Sequence, residues 1–146
     1  MFRGNHPTRI DEKGRLKVPA DFKKVLDENR YGNRFYITSK NGTVAEIYPL
    51  SEWQKIEEKL LTDPPEGAGD LLKVTSFWGQ EVEIDAQGRL LLPSMLREEA
   101  GLNGDVAVVG SLTHLKVSDK DAYLKEAKAK ALSPETEKAL TKHGIY

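Results

Sequence analysis

The sequence predicts an α+β protein made of two pseudo-symmetric halves that share one barrel-like β core. Three observations carry that prediction. The decapeptide IDEKGRLKVP at 10–19 returns as IDAQGRLLLP at 84–93, with Ile, Asp, Gly, Arg, Leu and Pro identical at a constant offset of 74 residues. A helix-patterned stretch opened by proline follows each copy, and two apolar strands plus a second helical stretch complete each half. A half of about 50 residues buries too little surface to be comfortably stable alone. Packing the strands of both halves into a single core resolves that within the 146 residues of the chain.

In chain order, the first motif is Asp-x-x-Gly-Arg at 11–15, which asks for a tight turn between two strands. Gly14 tolerates positive φ, Asp11 accepts hydrogen bonds from turn N–H groups, and Arg15 sits across the turn within reach of that carboxylate. PADFKKVLDE at 19–28 reads as a helix. Its proline suits the first turn, Phe22, Val25 and Leu26 form its apolar stripe, and Gly32 marks its stop. Phe35–Thr38 and Val44–Tyr48 flank SKNG, whose Asn41-Gly42 is a hairpin-turn signal. Ser51–Gln54 is a capping signal before Ile56 and Leu60. TDPPEGAGD at 62–70 is a breaker-rich loop, and LLKVTSFW at 71–78 fits a helix ended by Gly79 or a strand.

The second half repeats the order. Asp85, Gly88 and Arg89 rebuild the turn, PSMLREEAG at 93–101 rebuilds the helix with Met95, Leu96 and Ala100 inward, and Gly101 stops it. Val106–Val109 and His114–Val117 flank GSLT, and Ser118–Asp121 is the capping signal before Tyr123 and Leu124. Trp53 and Tyr123 hold matching helix positions and are expected in the core, and Phe77-Trp78 as a core or interface pair. Ser133 and Pro134 begin a short last helix.

Composition narrows the chemistry. Cysteine is absent, and His6, His114 and His143 are too far apart in sequence to make a ligand-spaced pair, so no metal or cofactor is expected. No apolar run approaches the roughly 18 residues of a membrane span, and the N-terminus lacks the apolar stretch of an export signal, which points to a soluble, cytoplasmic protein. The formal charge is −1, yet residues 1–40 carry ten basic side chains against five acidic ones. On charge alone a solvated face is the favoured reading. The flanks of Arg15 shift the balance. Lys13 and Lys17 sit beside it, with Arg3 and Arg9 upstream, and an exposed Lys-Gly-Arg loop has the size to enter a DNA groove, where arginine pairs with guanine. Arg89 has only Ala86, Gln87, Leu90 and Leu91 around it in sequence and reads as a structural partner of Asp85. Catalysis by Asp11 and Asp85 as a carboxylate pair is disfavoured, because each has its own arginine four residues on.

MFRG at the N-terminus, IDEKGRLKVP, YPLSEW, IDAQGRLLLP, LREEAGL and VVG, in that order, resemble the MraZ family of bacterial transcriptional regulators, over residues 1 to about 124. The resemblance implies two AbrB-like (SpoVT-type) modules sharing a swapped-hairpin β-barrel. On it, the modules are 5–52 and 80–124, with a connecting helix and linker at 53–79 and a helical tail at 125–146. It also implies ring-shaped homo-oligomers and a cytoplasmic, nucleoid-associated repressor. Its partner is double-stranded DNA, at tandem short G-rich repeats upstream of the division and cell-wall gene cluster that includes its own gene. The DNA-facing role falls on Lys13 and Arg15, with Arg3 and Lys17 as neighbours, while Asp11, Gly14, Asp85, Gly88 and Arg89 hold the turns. The chain departs from the family pattern at Ser118, where a tryptophan ends the strand in relatives, and in its short, glycine-rich linker. The alternative is a protein-interaction module, since AbrB-like barrels also serve antitoxins such as MazE. Residues 125–146 offer few large apolar anchors for that role.

Overall fold

Each copy of the repeated decapeptide supplies a turn and the strand after it, and a short strand leads into it. In the computed structural model, which describes residues 1–146, these are β1 (Thr8–Ile10) with β2 (Arg15–Lys17), and β5 (Gln80–Glu83) with β6 (Arg89–Leu91). Helix α1 (Ala20–Glu28) follows the first copy and α4 (Ser94–Glu99) the second. The hairpins are β3 (Arg34–Thr38) with β4 (Ala45–Pro49), and β7 (Gly104–Gly110) with β8 (Leu115–Asp119). Helices α2 (Leu50–Thr62) and α3 (Ala68–Trp78) bridge the halves, and α5 (Lys120–Ala129) and α6 (Pro134–Thr141) end the chain.

The eight strands form one antiparallel sheet in the order β5-β3-β4-β8-β7-β1-β2-β6. The hairpin arms are exchanged. β1 pairs with β7 of the other half, Thr8 opposite Val106 and Ile10 opposite Gly104, and β5 pairs with β3, Arg34 opposite Glu83. The sheet ends, β5 and β6, are joined by the second turn, where the Asp85 N–H donates to the Arg89 carbonyl at 2.9 Å. The same bond at Asp11 and Arg15 is 3.0 Å. The sheet therefore nearly closes on itself, which removes the open edges that invite aggregation. The expected swapped-hairpin barrel of α+β class is the fold.

Alternation along the short strands drives the core. Leu16 and Leu90 face each other across β2–β6 and are fully buried, as are Ile37, Ile47, Val106, Val108 and Val117. Phe22 and Leu26 from α1 and Leu96 from α4 join the same cluster. Phe2 adds a bridge to Leu112 beyond β1 and is buried between Phe22 and Tyr31.

Several local expectations are corrected. Helix α2 begins at Leu50 after Pro49, without a side-chain cap, so Ser51 lies inside the first turn. In the second half the cap is Asp119, accepting the Ala122 N–H at 3.0 Å, and Ser118 is the strand residue before it. Helix α1 stops at Arg30, which takes the left-handed conformation (φ 52°) so that the Tyr31 N–H reaches the Leu26 carbonyl at 3.1 Å; Gly32 lies beyond. The Asn41-Gly42 signal is not a two-residue turn. Ser39 Oγ accepts the Gly42 N–H at 2.9 Å and Asn41 Oδ1 accepts the Thr43 N–H at 2.9 Å, shaping a longer loop. The linker is shorter than it reads, because α3 starts at Ala68, and 71–78 is helix rather than strand. Trp53 is in the core but Tyr123 is only partly covered, since nothing in α5 is buried. No helix is long and apolar enough to cross a membrane.

Candidate nucleic-acid interface

The two Asp-x-x-Gly-Arg turns are built alike, bond for bond. Gly14 (φ 83°) and Gly88 (φ 77°) take the left-handed conformation that lets each chain reverse. Asp11 Oδ1 accepts the backbone N–H groups of Lys13 (3.0 Å) and Arg15 (2.9 Å), while its Oδ2 accepts Arg15 Nε at 2.8 Å. Asp85 receives Gln87 N–H, Arg89 N–H and Arg89 Nε at 2.9, 2.9 and 2.8 Å. The backbone N–H of Arg15 is the main cause holding the Asp11 carboxyl below its ordinary value of 3.8; partial desolvation opposes it and the guanidinium assists. Arg89 acts on Asp85 in the same order. Both aspartates are thus committed to their turns, and Glu12 in the first turn is exposed to solvent.

Strand pairing then brings the turns together. β2 runs beside β6 with Arg15 opposite Leu91 and Lys17 opposite Arg89, and reciprocal bonds of 3.0 Å join Leu92 N–H to the Gly14 carbonyl and Val18 N–H to the Gly88 carbonyl. Because Leu16 and Leu90 point into the core, Arg15, Lys17 and Arg89 all point outward. Arg15 and Arg89 stand on the diagonal of this pair, where side-chain roots are roughly 7–8 Å apart. Their side chains are 29% and 26% exposed, so each guanidinium keeps an open side while bound to its aspartate. Lys17 Nζ crosses the seam to the carbonyl of Gln87 in the second turn.

Two cations join them that sequence reading missed. Arg97 of α4 donates from Nη1 to the Lys13 carbonyl at 3.2 Å, lying over Gly14. Lys23 of α1 lays its methylenes near Gly88, with its ammonium 3.9 Å from Asp27. The signal was present, since positions 23 and 97 are themselves separated by the repeat offset of 74. Lys13, Arg15, Lys17, Lys23, Arg89 and Arg97 thus share one face drawn from both halves. Arg89, poor in basic neighbours along the chain, receives them across the seam from Lys17 and Lys23. Arg3 is not brought to this face. Phe2 pairs near Leu112 while Ile10 pairs with Gly104, so Arg3 lies at the far end of β7, roughly 20 Å away along the strand.

No group of His, Asp or Glu side chains is arranged to hold a metal ion. Comparison with known proteins agrees with the sequence resemblance. The family model described as "MraZ protein, putative antitoxin-like" matches residues 1–68 and 79–142. A protein of Acidobacterium capsulatum named transcriptional regulator MraZ is 51% identical over 99% of this chain and 100% of its own length. Proteins of the same name from Koribacter versatilis (46% identical, 99% and 100% covered) and Syntrophobacter fumaroxidans (40%, 85% and 85%) are also similar. With twin Asp-Gly-Arg turns in an exchanged barrel and matches across nearly its whole length, the chain belongs to the MraZ family.

Proposed function

We propose that this protein is a sequence-specific DNA-binding transcriptional regulator and not an enzyme, and that the paired turns at the β2–β6 seam are its DNA contact. The observation that carries this is the convergence of six cations from two halves on one outward face, of which Arg15 and Arg89 are paired with the turn aspartates Asp11 and Asp85. Lys13, Arg15 and Lys17 are the principal contacts, and Arg89, Lys23 and Arg97 extend the same surface. The modules are 5–52 and 80–124, joined through 53–79, with 125–146 outside the DNA-binding unit. The names of the relatives support transcriptional regulation.

The finer reading is a cytoplasmic, nucleoid-associated repressor of the division and cell-wall cluster that includes its own gene, acting as a homo-oligomeric ring on tandem G-rich repeats. A single protomer with a face this small contacts few phosphates and binds weakly, with affinity falling as salt rises. Several faces on tandem repeats multiply affinity by roughly 10² to 10⁴ through effective concentration.

Fluorescence anisotropy against the DNA upstream of its own gene, at two salt concentrations and with scrambled repeats as competitor, tests this reading. Binding is expected to need several intact repeats and to weaken steeply with salt. Arg15→Ala is expected to abolish it while the thermal melt stays near wild type, and Arg89→Ala to weaken it. Equal affinity for scrambled DNA would overturn the DNA reading and favour the antitoxin-like, protein-binding alternative.

A further inference from the structure

The pseudo-two-fold axis crosses the barrel at two seams, and the second carries a site of its own. Across β4–β8, Glu46 faces Lys116, so in this part of the repeat, after the offset has shortened from 74, a first-half residue maps onto the residue 70 positions later. Helices α2 and α5 begin at matching positions, Leu50 and Lys120, on that mapping. In the first half the space beside this seam is filled by rings. Tyr48 stacks on His114 at 4.2 Å and 15°, and Trp53 packs against Tyr48 at 5.0 Å. The matching positions for Tyr48, His114 and Trp53 are Ser118, Val44 and Tyr123. Ser118 and Val44 leave empty what the stacked pair fills, and a cavity of about 370 Å³ opens there, flanked by Tyr123. That volume is at the lower end of small-molecule sites, which run from roughly 300 to 1,000 Å³.

Glu46 supplies an independent observation. Its side chain is 5% exposed, and Oε1 alone takes Lys40 Nζ (3.2 Å), Tyr48 Oη (3.3 Å) and His114 Nε2 (3.1 Å). Oε2 has no partner in the protein, and it is not sealed from solvent, because no fully buried side-chain oxygen of the chain lacks a hydrogen bond. Glu46 is among the residues that line the cavity, and Oε2 is its oxygen without a partner. Desolvation pushes the Glu46 carboxyl up, but the His114 hydrogen bond and the Lys40 charge outweigh it and keep it ionised. At the rim, Lys116 and Lys130 join no ion pair, while Glu126 is the one further carboxylate.

We propose that this cavity binds a mononucleotide whose base carries an exocyclic amino group. The ring occupies the place left by Ser118 and Val44 and stacks near Tyr123. The amino group donates to Glu46 Oε2, and the phosphate lies between Lys116 and Lys130. The site is on the opposite seam from the Arg15 and Arg89 turns, and it stands whether or not those turns bind DNA.

Calorimetric titration of the full-length protein with adenosine 5′-monophosphate tests the proposal. One saturable site per chain is expected, with inosine 5′-monophosphate at least about tenfold weaker, because its O6 acceptor replaces the amino donor opposite the Glu46 carboxylate. Ser118→Tyr restores the ring present in the other half and is expected to keep or raise the melting temperature while abolishing binding. Lys116→Ala with Lys130→Ala, both on the surface, is expected to weaken binding about tenfold or more without altering the melt. Absence of saturable binding, inorganic phosphate binding as tightly as the nucleotide (an adventitious ion only), or undiminished binding by Ser118→Tyr would each overturn it.

Discussion

The two seams of the barrel lie on the same pseudo-two-fold axis, yet they have been treated differently by the chain. At β2–β6 the two halves keep the same aspartate, glycine and arginine, and their hydrogen bonds agree to within 0.1 Å. At β4–β8 the matching residues have diverged, Tyr48 against Ser118 and Trp53 against Tyr123. A turn that must reverse the chain at positive φ while saturating three N–H donors with one carboxylate admits few solutions. A helix laid against a sheet admits many, because apolar surface is non-directional and any set of side chains of the right volume serves. Repetition is kept where backbone geometry is exacting and relaxed where side chains pack between helix and sheet.

Substitutions at matched positions sharpen that contrast. The largest expected effect is Trp53→Ala, which empties a buried site between Tyr36 and Tyr48 and costs about 3–5 kcal/mol, against under about 1 kcal/mol for the partly covered Tyr123→Ala. Urea unfolding of the pair checks it, and equal losses would erase the distinction at the second seam. Gly14→Ala and Gly88→Ala come next, each forcing a left-handed alanine at about 1–2 kcal/mol. The two costs should be alike, but a Cβ on Gly14 also displaces the Arg97 guanidinium, so Gly14→Ala is expected to weaken DNA binding more than its stability loss explains. The smallest effect belongs to Asp11→Asn and Asp85→Asn, whose lowering of the urea midpoint should be the same for both. Because these carboxyls titrate below 3.8 in the folded protein, their stabilisation is fully present above that value. It is lost as pH falls through the lower, folded value. Wild type and the double variant should therefore converge in acid, and a gap that stayed constant as the pH fell steadily below 3.8 would assign the effect to something other than ionisation.

The repeat made the architecture legible, since six identities at one offset imply two equivalent turns and hence two equivalent halves. What sequence could not show was which strand each turn would pair with. Exchange of the arms puts Lys17 beside Gln87 and Arg97 beside Lys13, contacts 70 and 84 residues apart, so the basic face is composite. That is why Arg89 looked isolated: its cationic neighbours come through space rather than along the chain. Arg3 looked close to the site for the opposite reason, because an extended segment carries its ends apart at about 3.3 Å per residue. The misplaced caps at Ser51 and Ser118 have a simpler cause. Both helices start directly from a strand end, where the cap position falls at Pro49, two residues before Ser51, and at Asp119, one residue after Ser118.

The exchange of arms also has a consequence in time. Phe2 finds its partner at Leu112 and Thr8 at Val106, so the first strand is synthesised about 100 residues before the strand that completes it. At roughly 5–20 residues per second on the ribosome, that interval is on the order of 5–20 s. Until β6 is made, the nascent chain carries the first turn, including Arg15, without the strand that pairs beside it. A ribosome paused before Gly110 would expose an unpaired β arm to other nascent chains on the same messenger, whose arms are identical. Because Arg89 and Arg97 come 74 and 84 residues after Arg15 and Lys13, the composite basic face cannot assemble until the second turn and α4 have been made.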